Sequence, residues 1–561
     1  MSIGDVTTGT TTSGQINFQG LGSGTDFGTL IDKLVSVEQT RVKTYQTWKQ
    51  SWLDKNVAFK DLNSKMLSLR TTLQGMDTIG EFLKKGATSS NTTTLTATAG
   101  GEAETGTVTY SVLQLAKNKM MVTSSGYATL TQNINSLGGA AQFIYSYKGV
   151  TVSNAIPATA SLADLASIIN TNSANNGVRA TTIYDGSNYY LQLRGLDTGA
   201  GSSLTISGST TLPGFGSSNF LTTQDNQDAK LKINGWPLSN AYISRASNTV
   251  TDVLAGITLS LKSSGAGTIT VNTDVDAVVE NVRTFVNQVN VVRQQIQNLT
   301  RYDSTTKQAS ILTGNYGLQM IDTIMNNITA APGIGFDRSI DTYVSLSPVG
   351  LTTDATEGSA TQGQILLDET VLRAALASNA YAVGKIFSAQ YIGDTNSADI
   401  SYSSYINGIT KAGTYPVSYT ITGGKITSAT INGHAAIFNS TSAFITGASG
   451  KDESGLVVKV NNLTDGTYSH NVNLRLGKNG ELVDELATLT NADNGTLNIL
   501  QKNYVTIADD IQKKIDNENR RISDMAKRLK DQYSRLDTLL GKYTQLQTQL
   551  SSQITQISKS T

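Results

Sequence analysis

The feature that most constrains this chain is a strict period of seven near its C-terminal end. Ile515, Ile522, Leu529, Leu536, Tyr543, Leu550 and Ile557 recur at every seventh position. The positions between them carry Met525, Leu539 and Leu546, with Glu518, Gln532 and Gln553 as polar gaps. A sustained period of seven requires a helix that buries one seam against other helices. A second set near the start has Tyr45, Trp52, Phe59, Met66 and Leu73 in one register and Trp48, Leu62, Leu69 and Met76 in the other, interrupted by Lys55. A third runs through Val275, Val278, Val282, Phe285, Val289, Val292, Ile296 and Leu299. All 6 prolines fall outside these segments, as helix interiors demand.

Between the helical stretches the period drops to two. From Gly86 to about residue 274 the chain is rich in Thr, Ser, Gly and Asn, with alternating runs such as Val108-Thr109-Tyr110-Ser111-Val112. Turn signals stand at Asn176-Gly177, Asp185-Gly186 and Asn234-Gly235, and a short helix interrupts at Leu162 to Asn170. A second β-rich stretch spans about 391–495, with turn signals at Asn407-Gly408, Asn432-Gly433 and Asn479-Gly480. The pattern predicts an α+β fold. Helical terminal segments form a coiled-coil-like leg, β-rich head domains are inserted between them, and a further β-rich insertion lies near the C-terminus.

The expected units are a terminal segment at 1–44, disordered until assembly, and a leg from 45–88 with 275–390 and 496–528. A β-rich head at 89–274 has two subdomains, with about 127–225 inserted in the other. A β-rich insertion at 391–495 and a terminal helix at 529–561 complete the chain. Residues 1–19 read as polar and disordered. Gly20 to Gly24 reads as a flexible joint before a helix that Thr25 and Asp26 start.

Composition narrows the function classes. Basic and acidic residues balance at 43 each, which argues against a nucleic-acid partner. Cysteine is absent, so thiol catalysis and cysteine metal sites are excluded. No run approaches the ~18 apolar residues of a membrane span, so no membrane partner is expected. The first basic residue is Lys33, so a secretory signal peptide is not expected. The only histidines, His434 and His470, have no nucleophile motif beside them. No enzyme, cofactor or metal site is expected.

The terminal stripes need another explanation. Leu30, Leu34 and Val37 near the start, and Leu536, Leu539, Tyr543, Leu546, Leu550 and Ile557 near the end, lie where chains usually fray. Each would contribute about 1.5–3 kcal/mol if fully buried. Polar gaps make the seam marginal alone, so these residues are the candidate assembly interface, ordered when other subunits supply the missing surface.

Several stretches carry a family resemblance: Gly20-Leu21-Gly22-Ser23-Gly24-Thr25-Asp26 with Leu30, Leu34 and Glu38; Ser161 to Asn170 with Val178-Arg179-Ala180-Thr181 and Tyr190 to Leu193; and Asn248-Thr249-Val250 with Leu254 to Leu259, Phe285 and Asn290. Gly350-Leu351, Leu366-Leu367-Asp368 and Ile386-Phe387 follow. Together they resemble the flagellar filament-cap (hook-associated protein 2) family. Two departures stand out: Asn315 occupies a position where the family usually has aspartate, and 391–495 looks like an insertion. The resemblance implies an oligomeric structural protein at the distal filament tip, exported without a cleavable signal peptide. It would form a ring of a few subunits that promotes folding and insertion of exported flagellin. It implies contacts of the terminal residues with the filament core and the hook–filament junction protein, and an export chaperone at the C-terminal helix. The alternatives are another axial protein (the junction protein or flagellin) or an adhesin that binds host glycans through the β-rich domains.

Overall fold

The computed structural model describes residues 26–303, 306–439 and 441–559. The polar stretch 1–19 and the Gly20–Thr25 joint lie outside the described residues. Among the described residues eight helices follow one another: α1 (Phe27–Gln74), α2 (Ile79–Phe82), α3 (Leu162–Thr171), α4 (Val275–Thr300), α5 (Tyr316–Ala330), α6 (Glu369–Ser388), α7 (Lys478–Leu489) and α8 (Thr496–Lys559).

The leg is the largest core. It joins Phe59, Leu62, Met66, Leu69 and Leu73 of α1 to the α4 stripe, to α5 to α7 and to Leu497 and Tyr504 of α8. Val278, Val282, Phe285, Val289, Val292, Ile296 and Leu299 are all buried, because a three-four spacing keeps them on one face. Phe387 stacks on Phe82 at 4.8 Å and meets Phe285 edge-on at 5.5 Å. Arg293 is one of the charged groups that enter this core. The Arg293 guanidinium donates to the Gly363 carbonyl at 3.0 Å and to the Thr329 hydroxyl, which is how a buried cation is tolerated.

In α1 the expected register holds from Phe59 to Met76 and shifts before it. Asn56 is buried and Trp48 is exposed, so the seam toward the start of the chain runs through Val42, Tyr45, Lys49, Trp52 and Asn56. Asn56 and Leu62 both flank Phe59 at a spacing of three, a break in the seven-residue repeat. The break falls where α1 changes partners, from the leg core to α8 alone. Residues before it pack on Ile511, Ile515 and Ile522 of α8.

The β-rich region between α2 and α4 has two cores. One joins a five-stranded sheet to a three-stranded sheet drawn from residues 85–115 and 229–273. The other joins a four-stranded sheet, a three-stranded sheet and α3, all from residues 120–224. Ser161 and Asp164 form a capping box that starts α3. Gly80 and Gly101 bring leg and head backbones together, since a Cβ on Gly101 would strike the Gly80 carbonyl.

A third β core, from Ile400 to Leu474, joins five- and four-stranded antiparallel sheets. Its last strand ends at Leu476, and the following residues correct the expectation of β structure up to 495. Asn479-Gly480 is not a hairpin turn but part of α7. The Asn479 amide donates to the Met76 carbonyl at 2.7 Å and to Ser388 Oγ at 3.0 Å, and Leu482, Val483, Leu486 and Leu489 enter the leg core. Tertiary burial overrides the local turn signal.

Candidate assembly interface

α8 is 64 residues long, about 96 Å at 1.5 Å per residue. Its first third belongs to the leg, and its middle pairs with α1 running in the opposite direction. Three contacts fix that pairing. Trp52 packs on Tyr504 at 5.2 Å, Arg521 of α8 pairs with Glu38 of α1, and Phe27 stacks on Tyr533 at 5.0 Å. Arg521 also reaches Glu518 at 2.8 Å. Glu518 is held below the usual glutamate range, first by that hydrogen bond. Asp26 caps α1, its carboxylate accepting from the Thr29 backbone at 3.0 Å.

α1 begins at Phe27, opposite Tyr533, while α8 continues to Lys559, roughly 39 Å farther. The seam therefore outruns its described partner. Ile515 and Ile522 are buried and Leu529 is half-buried. Leu536, Leu539, Tyr543, Leu546, Leu550 and Ile557 are exposed, from 41 % for Leu536 to 67 % for Ile557. They continue the same helix face that α1 covers nearer the leg.

Leu30, Leu34 and Val37 behave differently. Each lies one residue before a position that faces α8 (Ile31, Val35 and Glu38), which places it about 100° around the helix. They form an exposed stripe beside the pairing face, at 43 %, 41 % and 69 %. The nine expected residues thus fall on two surfaces: a flank of α1 and the outer seam of α8. Sequence reading missed Ile554, 63 % exposed. It lies off the two seam registers but one turn from both Leu550 and Ile557, so an i, i+4, i+7 search would have found it. A contiguous apolar stripe of this kind marks an interaction surface.

The histidines do not converge. His434 Nδ1 lies 2.7 Å from Glu453 and His470 Nε2 lies 3.2 Å from Asp399. Register pairs run His434–Ile431–Val417–His470 across four adjacent strands, which separates the imidazoles by three strand spacings, about 14 Å. Val417 and Ile431 fill the space between them. Among the described residues no group of three or more His, Asp or Glu side chains could hold a metal ion, and no helix is long and apolar enough to cross a membrane.

Comparison with known proteins gives a consistent set of relatives. The model for the flagellar hook-associated protein 2 C-terminus matches residues 226–545 and that for its N-terminus matches 23–119. The flagellin hook IN motif matches 128–197, within the core that contains α3. Flagellar hook-associated protein 2 of Escherichia coli K12 is 27 % identical over 436 residues, covering 72 % of this chain and 88 % of that protein. The A-type flagellar hook-associated protein 2 of Pseudomonas aeruginosa is 26 % identical over 412 residues, covering 67 % and 80 %. The crystal structure of the D1-D2-D3 domains of the Escherichia coli flagellar cap protein FliD aligns with a TM-score of 0.48 at 25 % identity, over 59 % of this chain and 90 % of that one.

Proposed function

The chain belongs to the flagellar hook-associated protein 2 family, and from that premise we propose a filament-cap subunit whose terminal seams grip the filament end. The observation that carries this reading is the outer α8 seam. It is a helix face with core-like periodicity, exposed over a length that no core among the described residues covers. A subunit at the filament tip, outside the cell, meets helical surfaces of flagellin and of the hook–filament junction protein there. Several modest apolar contacts divided among a ring of subunits suit a cap that must release and re-engage as each flagellin is added, whereas an uninterrupted zipper would not let go. The β-rich domains then roof the space in which incoming flagellin folds and inserts.

Before assembly the same stripe would be exposed to aggregation. An export chaperone that covers the end of α8 answers that hazard.

Deletion of residues 530–561 tests the reading. The expected product is a soluble protein with an intact leg and head that still forms rings but supports no filament growth in a strain lacking its own cap. Filaments of normal length would contradict it.

A further inference from the structure

The α8 seam is flanked by a second repeat. Lys514, Arg521, Arg528, Arg535 and Lys542 follow at seven-residue intervals, each one position before a seam residue. Seven residues rise about 10.5 Å, so the cations form a ladder parallel to the apolar stripe. The two inner rungs have partners on α1. Lys514 Nζ lies 5.4 Å from the centre of the Trp48 ring, and Arg521 pairs with Glu38.

The three outer rungs, Arg528, Arg535 and Lys542, are exposed. The ion pairs of α8 among the described residues are Lys513–Asp510, Arg521–Glu518 and the α1 contacts at Glu518 and Arg521. Asp524 and Asp531 stand one turn before Arg528 and Arg535 without closing a pair. From Arg528 to Lys559 the only acids are Asp531 and Asp537, against Arg528, Lys530, Arg535, Lys542 and Lys559.

We propose that the outer half of α8 docks on a partner helix whose apolar heptad seam is flanked by carboxylates at seven-residue spacing, and that the ladder, not the stripe, selects that partner. This rests on the reading of the stripe as the assembly interface and names the chemistry of what covers it. An all-apolar seam discriminates poorly, whereas flanking charges set partner and orientation in paired helices. One inner rung already follows the rule inside this molecule, where Glu38 of α1 meets Arg521. The outer rungs continue that contact line with the cations in place and the acids still to be supplied.

The test uses the full-length protein and two synthetic heptad peptides with identical Ile/Leu seams, one flanked by Glu and the other by Lys. The Glu peptide is expected to bind about tenfold more tightly at low salt, as three flanking pairs would give, and the preference should fade toward 1 M salt. A triple R528E/R535E/K542E variant with an unchanged circular dichroism spectrum should prefer the Lys peptide. L539S/L546S should weaken both. Equal binding of the two peptides, binding of neither, or a reversal variant that still prefers Glu would overturn the proposal. So would equal peptide binding with tight capture by phosphatidylglycerol vesicles, which would assign the ladder to a lipid surface. The cap reading falls on the truncation result instead, so the two can fail separately.

Discussion

Asn315 shows what a single side chain does at the start of a packed helix. Its Oδ1 caps α5 by accepting from the Leu318 backbone at 3.1 Å, and its Nδ2 donates to the Tyr504 hydroxyl of α8 at 2.8 Å. Aspartate is the residue expected here from the resemblance, and the geometry accommodates either residue. Both cap, and the tyrosine hydroxyl can donate to a carboxylate as readily as it accepts from an amide. Asn315→Asp is therefore expected to leave stability within about 0.5 kcal/mol of the parent. Asn315→Ala removes the cap and strands the Tyr504 hydroxyl, and should cost about 1–3 kcal/mol. Chemical denaturation of the two variants checks this, and an Ala variant as stable as the parent would contradict it. The cap was open to sequence reading, since Asn precedes an apolar-periodic run. The bond to Tyr504 was not, because it joins residues 189 apart in sequence.

At the scale of elements, the joint between the third β core and the leg is ionic. Asp341 accepts from Lys385 of α6 and from Arg475 of the strand Gly466–Leu476, each at 2.8 Å. Burial pushes the Asp341 carboxyl up, and the hydrogen bonds from Lys385 and Arg475 outweigh it, so its pKa lies below the usual aspartate value. A folded-state pKa lowered in this way means that its contribution is complete above the unfolded value near ~3.9 and is lost as the pH falls through the lower folded value. Asp341→Ala leaves the Arg475 and Lys385 cations without their shared carboxylate and should cost about 3–5 kcal/mol at neutral pH. The loss relative to the parent should shrink as the pH falls through the folded Asp341 pKa. Thermal unfolding from pH 7 to 3 measures both, and a pH-independent difference would contradict the assignment.

The same scale shows what the sequence revealed. The α4 stripe was legible residue by residue, because eight apolar positions on one face admit one helix orientation. The β-rich stretches were legible as alternation. The α1 register near Trp48 was not, because Trp48 resembles a seam position and Lys55 a lone interruption until the change of partner at Asn56–Phe59 is known. Asn479-Gly480 misled for a related reason: a local turn signal says nothing of the Met76 and Ser388 groups that fold back to meet Asn479.

At the scale of the whole molecule, a leg and three β cores carry a half-covered arm. The leg and three β cores bury their apolar residues within the chain. Among the described residues the outer part of α8 does not, and its candidate interface residues were readable because periodicity continued where a core could not follow. The split between the α1 flank and the α8 seam was not readable, since it depends on where Phe27 meets Tyr533.

The central claim is that the outer α8 seam is held by other subunits rather than by this chain alone. Amide hydrogen exchange over Asp531 to Ser558 tests it most directly, in a dilute monomer and again in tip-capped filaments. The account predicts exchange within seconds to minutes in the monomer, against slow exchange in α4, and strong protection once assembled. Equal protection of the two states, with the monomer seam exchanging as slowly as the leg core, would contradict it.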